Sequence, residues 1–313
     1  MADNEDIKTH EVCCPMCGGD SFEEIAAGID FEYHTSTQEY HFGKCLKCGV
    51  LYLNPRPDIS ELNRIYPPEY APYHFDKQNL TLRVRNRMEG GRIKKIAALV
   101  PNEADALDAG CGGPGFLENM RRYGPPGWRL WGNDFNEQVT AELEKRGFKV
   151  APGRFEEINL PAGSFDLIFM KQTIEHLETP KEAIAAASRL LRKNGFLIIE
   201  TPNFDSWDAR RYRSKFWGGY HFPRHWTIFN PATLIEAART AGLSHFSTGF
   251  MLSPSFWIQS WRHSLEHRGW PKAIVRRINH LNPPLMLCAV IIDWAQMIAT
   301  SKTSNMQIIF QKP

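Results

Sequence analysis

Ala106-Leu-Asp-Ala-Gly-Cys-Gly-Gly-Pro-Gly-Phe-Leu117 is the stretch that decides the fold. An apolar run ends in an acid, Asp108. Glycines follow at Gly110, Gly112 and Gly115, and Phe116 opens a segment of helical pattern ending near Tyr123. That order reads as a buried strand, a tight turn, and a helix whose start lies against a ligand. Glycine is needed where the backbone takes positive φ or approaches a ligand with no Cβ in the way. Gly110-x-Gly112-x-x-Gly115 also fits a dinucleotide fingerprint, so the glycine spacing alone leaves the ligand open. Asp108, two residues before the first glycine, shifts the balance, because a carboxylate there suits a cationic amino group better than a pyrophosphate.

Trp128-Arg-Leu-Trp-Gly-Asn-Asp134 reads as a second short strand ending in an acid, about 20 residues beyond the glycine turn, where a carboxylate accepts both hydroxyls of a ribose. Phe135 follows it directly. Gly153-Arg-Phe-Glu-Glu-Ile-Asn-Leu-Pro161 then leads into Ser164-Phe-Asp-Leu-Ile-Phe-Met170 and Gln172-Thr-Ile-Glu-His-Leu177. After a helical stretch comes Leu190-Leu-Arg-Lys-Asn-Gly-Phe-Leu-Ile-Ile-Glu-Thr-Pro-Asn203.

Asp108-x-Gly-x-Gly-x-x-Gly resembles motif I of the class I S-adenosylmethionine-dependent methyltransferases. The segments after it are similar in order to the later motifs of that family: an adenine-side loop, a fourth strand, a Glu-His pair and a glycine-turned fifth strand. The resemblance spans residues 100 to 250 and is nearest to the small-molecule branch that includes the ubiquinone-biosynthesis O-methyltransferases. It implies an α/β fold with a Rossmann-like seven-stranded methyltransferase sheet. It also implies that S-adenosylmethionine is held by Asp108, Gly110, Gly112, Gly115, Asp134, Phe135, Phe155 and Gln172. One position departs from the pattern. Many relatives carry an acid after the glycine of the adenine-side loop, where this chain has Arg154, so the adenine contact falls to Phe155 and its backbone amide, with Glu156 in reserve.

The chain has 313 residues, enough for one full α/β domain plus a small accessory one. Its 37 lysines and arginines against 35 acids leave a formal charge of +2, which does not call for a nucleic acid or an acidic partner. Met-Ala-Asp-Asn-Glu-Asp at the start is acidic and has no apolar core, unlike a signal peptide, so a cytoplasmic protein is expected.

Four of the seven cysteines form two Cys-x-x-Cys pairs, Cys14-Pro-Met-Cys17 and Cys45-Leu-Lys-Cys48, each followed by glycine. This spacing argues for metal in a reducing compartment rather than a disulfide framework. Two such turns complete a tetrahedral Cys₄ site, the form zinc prefers when no open position is needed. Cys13 adjoins the first pair, but the Cys-Pro-x-Cys pattern favours Cys14 as the ligand. Phe22 to Phe42 between the pairs is strand-like, and the whole resembles a zinc ribbon; the alternative is two chance pairs of free thiols. A closed site contributes folding energy and offers no reactive water, so the ribbon is either scaffold or a cover over the substrate entrance. Because ribbons also bind nucleic acid, and some ribosomal-RNA methyltransferases carry an N-terminal zinc module, RNA methylation is the alternative function. A non-catalytic cofactor-binding protein is a further one.

These readings divide the chain into a zinc ribbon (1–60), a linker and helix (61–100), and an S-adenosylmethionine-dependent methyltransferase domain (101–313). Asn54-Pro-Arg-Pro57 and Tyr66-Pro-Pro68 mark the ribbon's exit. Leu80 to Leu99 reads as a helix with Leu82, Ile93, Ile96 and Leu99 on its apolar side and Arg83, Arg85, Arg87, Arg92, Lys94 and Lys95 on a basic, solvated one. Strand six is expected near Leu243 to Phe250 and the last strand at Met306 to Lys312. In this fold those two strands are an adjacent antiparallel pair, so 251–304 is a helical insertion between strands six and seven. It contains a basic patch from Lys272 to Arg277 and an apolar run, Leu285 to Ile298, interrupted by Asp293 and Gln296. That run is short for a membrane span. It suits a helix packed over the substrate pocket or, alternatively, peripheral contact with a membrane surface.

Methyl transfer from a sulfonium is an in-line displacement, and alignment supplies much of its acceleration. An oxygen nucleophile often needs a base, for which histidine has a suitable pKa. Phe216-Trp-Gly-Gly-Tyr-His221-Phe-Pro-Arg-His225-Trp-Thr-Ile-Phe229 follows strand five, where this fold places substrate-binding insertions, and related small-molecule enzymes have a similar Pro-Arg-His segment there. His225 is the first candidate base and His221 the second. His176 of the Glu-His pair competes, though that pair recurs in relatives with different acceptors and reads as shaping the pocket. The expected acceptor is a small molecule or glycan intermediate.

Overall fold

The computed structural model describes residues 6–67 and 80–313, with the side chains of 80–85 left out. The readings placed on Leu82, Arg83, Arg85, Pro68 and the first five residues lie outside the described ones.

The N-terminal segment carries five short strands, β1 (Thr9–His10), β2 (Phe22–Gly28), β3 (Tyr40–Cys45), β4 (Leu51–Leu53) and β5 (Arg56–Pro57), then a one-turn helix α1 (Leu62–Ile65). β2, β3 and β4 form an antiparallel meander in which Phe22 faces Cys45 and Phe42 faces Leu53. The strand-like stretch from Phe22 to Phe42 is not continuous. Strand pairing stops at Gly28 because Asp30 turns the chain: its carboxylate accepts the amides of Glu32 (3.2 Å), Tyr33 (3.0 Å) and Thr35 (3.1 Å) and the Thr35 hydroxyl (2.7 Å).

Helix α2 (Leu80–Ala97) leads into the main domain, built on β6 (Asp105–Ala109), β7 (Arg129–Asp134), β8 (Lys149–Pro152), β9 (Phe165–Lys171) and β10 (Leu191–Pro202). Between these strands lie α3 (Gly115–Tyr123), α4 (Glu137–Lys145) and α5 (Pro180–Leu190). The residues after β10 form α6 (Trp207–Arg211), the two-residue strand β11 (Thr227–Ile228), α7 (Pro231–Thr240) and β12 (Ser244–Met251). The C-terminal region is α8 (Pro254–His267), the short α9 (Lys272–Val275), α10 (Pro283–Thr300) and β13 (Asn305–Gln311). Asn230 caps α7 reciprocally with Thr233, and Pro231 takes its first turn, where its fixed φ suits the helix.

Seven strands form one sheet in the order β12-β13-β10-β9-β6-β7-β8, with β13 antiparallel to both of its neighbours. This is the Rossmann-like methyltransferase sheet, and the helical insertion separates its last two strands. The central strands are buried on both faces. Leu107, Ile168, Ile199 and Ile308 face α5 and α7, while Ala106, Leu167, Ile198 and Ile309 face the side packed by α2, α3 and α4. Chain order reverses between β6 and β9, and the crevice at their carboxyl ends is where open sheets of this kind take ligands.

The ribbon is joined to this domain. β11 pairs with β4, Thr227 opposite Tyr52 and Ile228 opposite Leu51, so the ribbon sheet gains its fourth strand from the loop after β10. Cys14, Cys45 and Tyr52 belong to the same apolar cluster as the main sheet.

Candidate active site

At the end of β6 the backbone turns through Gly110 (φ 65°) and Gly112 (φ 60°). A Cβ on Gly110 would lie 2.3 Å from the Thr173 methyl, so only glycine brings this turn against the loop after β9. The turn is tied to the end of β7: the Asn133 side-chain oxygen accepts the Gly110 amide at 3.2 Å, and Asp134 Oδ2 accepts the Gly112 amide at 2.9 Å. Asp134 Oδ1 takes the Asn136 amide at 2.9 Å, which fixes its carboxylate at the start of α4. Asp108 and Asp134 are both buried, and among the described residues neither forms an ion pair. Burial, then the nearby Asp134 and Glu200, pushes the Asp108 carboxyl well up; burial also raises that of Asp134, against the amides bound to it. Two uncompensated carboxyls beside a glycine turn suit a ligand that brings positive charge. A Cβ on Gly115, at the start of α3, would meet nothing within 4 Å, so the space before the helix is open.

The other candidate cofactor residues lie around this turn in different states. Phe135 is exposed beside Asp134, whereas the Phe155 ring is packed into the core. Arg154 spends its guanidinium on Glu156 (2.6 Å) and Glu178 (2.9 Å), which also occupies Glu156. Gln172 stands in the left-handed region (φ 53°) at the tip of β9, with its side-chain amide on Asn305 at 3.0 Å. A non-glycine residue held there is strained by its surroundings.

Beside the crevice three histidines meet. The rings of His176 and His225 are 4.6 Å apart, those of His221 and His225 4.9 Å, and those of His176 and His221 6.1 Å. His225 Nδ1 lies 2.8 Å from the Gly219 carbonyl and His176 Nδ1 3.1 Å from the Arg224 carbonyl. A carbonyl only accepts, so on His225 Nδ1 carries the proton and Nε2 the lone pair, whereas His176 Nδ1 also meets the Tyr66 hydroxyl at 3.0 Å, which can donate to it. Burial holds His225 neutral far below its usual pKa, and it lowers His176 to about 3, with His221 adding to both. Glu175 is fully enclosed, takes a 2.8 Å hydrogen bond from Thr201, and is pushed up to about 8 by burial. One ligand atom from each of Glu175, His176 and His225 falls within 4.8 Å of the others.

Much of this chamber comes from outside the segments that the sequence singles out. His221, itself left-handed (φ 44°), pairs through Nδ1 with Glu32 of the ribbon. His221 and Arg224 hold Glu32 down at about 2 against the burial that would raise it. Arg224 is fully buried and bidentate on Asp30 (2.8 and 3.1 Å), donates through Nε to the Ile65 carbonyl (2.6 Å), and stacks over Tyr33 at 4.4 Å. Arg56 of the ribbon reaches Glu178, just past the Glu-His pair, at 3.0 Å. The only trace of these contacts in the sequence is the acids at 30 and 32, inside a stretch that otherwise reads as strand.

In the ribbon each knuckle closes as a turn: the Gly18 amide bonds to Cys14 O and the Gly49 amide to Cys45 O, both at 2.9 Å. Cys14 and Cys48 sulfurs lie 3.5 Å apart, as do those of Cys17 and Cys45, and all four are within 4.8 Å. A tetrahedron with metal–sulfur bonds of about 2.3 Å has edges of roughly 3.8 Å, so the four thiols fit a zinc ribbon. Cys13 is exposed and outside the group.

A family model described as a methyltransferase domain matches residues 83–247. A protein of Mycolicibacterium smegmatis described as a probable S-adenosylmethionine-dependent methyltransferase is 31% identical over 143 residues, which cover 44% of this chain and 51% of that protein. A ubiquinone biosynthesis O-methyltransferase of Caulobacter vibrioides is 26% identical over 140 residues, 43% of this chain and 56% of that one. The chain thus spans only about half the length of these curated relatives. The solved structure of a Haemonchus contortus phosphoethanolamine N-methyltransferase, bound to S-adenosyl-L-methionine, shares the fold with a TM-score of 0.52 and 15% identity, covering 94% of this chain and 69% of that one.

Proposed function

The chain belongs to the methyltransferase-domain family, and on that premise we propose that it transfers a methyl group from S-adenosylmethionine to an oxygen of a small-molecule or glycan-intermediate acceptor. The observation that carries this reading is the pair of buried acids without ion-pair partners, Asp108 and Asp134, on a glycine turn that opens beside the buried histidines His176 and His225. The matched O-methyltransferases lend it support. S-Adenosylmethionine, when bound, supplies a methyl group on a sulfonium, a good leaving group. Asp108 is assigned to its amino group, Asp134 to the ribose hydroxyls, and Phe135 to the base. His225, with its proton fixed on Nδ1, presents a lone pair at Nε2 to take the acceptor's hydroxyl proton. Such a weak base suffices because an oxygen that is being alkylated becomes strongly acidic.

Calorimetry should show Asp134→Ala losing about 1–3 kcal/mol of affinity for S-adenosylmethionine, the scale of a lost charged hydrogen bond. Affinity in the wild type should rise with pH, since a cation favours the ionised form of Asp108, whose carboxyl is raised in the free protein. Tighter binding of NAD than of S-adenosylmethionine would overturn the assignment. A pooled-metabolite assay with a labelled methyl donor identifies the acceptor.

The four-cysteine cluster is assigned one structural zinc per chain, held by Cys14, Cys17, Cys45 and Cys48. Elemental analysis should find one zinc, lost on Cys45→Ser and retained on Cys111→Ser.

A further inference from the structure

Helix α10 is turned inside out. Its one charged residue, Asp293, is fully buried, accepting the Ser253 amide at 2.5 Å and the Trp257 indole at 3.1 Å. Gln296 is buried beside it and donates to Asp208 at 2.9 Å. The opposite face is apolar: Leu287 (61% exposed), Ile291 (56%), Trp294 (57%) and Ile298 (63%) form one stripe at helical spacing. No charged side chain stands on that face from Pro283 to Thr300. A helix packed on a soluble domain has the reverse arrangement.

The approach to α10 is basic. Arg268, Lys272, Arg276 and Arg277 are all exposed, and none forms an ion pair among the described residues. From Arg268 to Thr300 the only acid is the buried Asp293. Trp270, Ile274 and Leu281 are exposed among these cations. Apolar and aromatic side chains next to unpaired cations match the two layers of an anionic bilayer surface, acyl chains under phosphate headgroups.

We propose that the outward face of α10, together with the basic turn through α9, docks the protein onto the surface of an anionic phospholipid bilayer. The helix lies along that surface rather than crossing it, although it is long and apolar enough to do so. Crossing would strip Asp293 and Gln296 of the partners that bind their side of the helix to the domain. A second copy of the chain is a poorer occupant, because pairing two such faces brings eight unpaired cations together.

The test is flotation of the full chain with vesicles of phosphatidylglycerol and phosphatidylcholine, against pure phosphatidylcholine. The protein should float with the anionic vesicles and stay behind with the neutral ones. Ile291→Glu/Ile298→Glu should abolish flotation with the thermal midpoint unchanged. Each of Lys272→Gln, Arg276→Gln and Arg277→Gln should weaken binding about fivefold. No flotation of the wild type, or equal flotation of the Ile291→Glu/Ile298→Glu variant, would overturn the proposal. So would a dimer in light scattering that Ile291→Glu dissociates, since the stripe would then belong to a second copy.

Discussion

Arg224→Leu is expected to lower folding stability by about 3–5 kcal/mol, a large part of what a domain of this kind has. The cause is the carboxylate left behind rather than the hydrogen bonds lost. Asp30 is as fully buried as Arg224. Burial raises its carboxyl, and Arg224 more than offsets this and holds it well below the usual range. Without the guanidinium the turn at Asp30 keeps a charge in the protein interior. Denaturant unfolding measures the loss. In Arg224→Leu/Asp30→Asn the loss should be clearly smaller than the sum of the two single changes, because neither charge is then stranded. A loss below about 1 kcal/mol for Arg224→Leu would mean that the pair does not hold the ribbon to the histidine loop.

His225→Ala should lower turnover by about two to four orders of magnitude, the usual range for a lost general base, and leave S-adenosylmethionine affinity nearly intact. The variant should recover in part as pH rises and the acceptor's hydroxyl ionises unaided. In the wild type the rate also rises with pH, but at the acid end, where the base loses its proton. Burial lowers the His225 pKa, so the ring stays neutral below the ordinary histidine range, and the acid limb of the rate profile should fall below about pH 6.5. Unchanged turnover in His225→Ala, measured with the identified acceptor, would make this histidine a packing residue.

How far these features are legible in the sequence depends on how far apart the participating residues lie along it. The glycine turn and the two cysteine pairs can be read directly, because each is a local geometry whose residues stand within a few positions of one another. The seven-stranded sheet is what the family resemblance implies; the alternating strand and helix patterns alone read as parallel strands with right-handed crossovers. Asp30 with Arg224 and Glu32 with His221 could not be read, because their partners are 194 and 189 positions away. Phe22 to Phe42 misleads for the same reason. Its apolar alternation is real, but a distant arginine stabilises the turn that breaks it. Asp293 and Gln296 look like interruptions of an apolar run, when in fact they mark the side of α10 that faces the protein.

The pairing of β4 with β11 bears on the order in which the chain is finished. On the ribosome the four thiols emerge early, close together in sequence, and the meander of β2, β3 and β4 follows from local turns. The outer edge of β4 then stays open while the five parallel strands β6 to β10 are translated, until Thr227 and Ile228 appear. Asp30 likewise remains an unmatched charge until Arg224 is made. An open edge strand is a site of wrong pairing, and domains otherwise tend to fold as units from the N-terminus. In this protein the first module synthesised is among the last to be completed, so a chain truncated before residue 224 carries a ribbon with an exposed edge and a buried charge unprovided for.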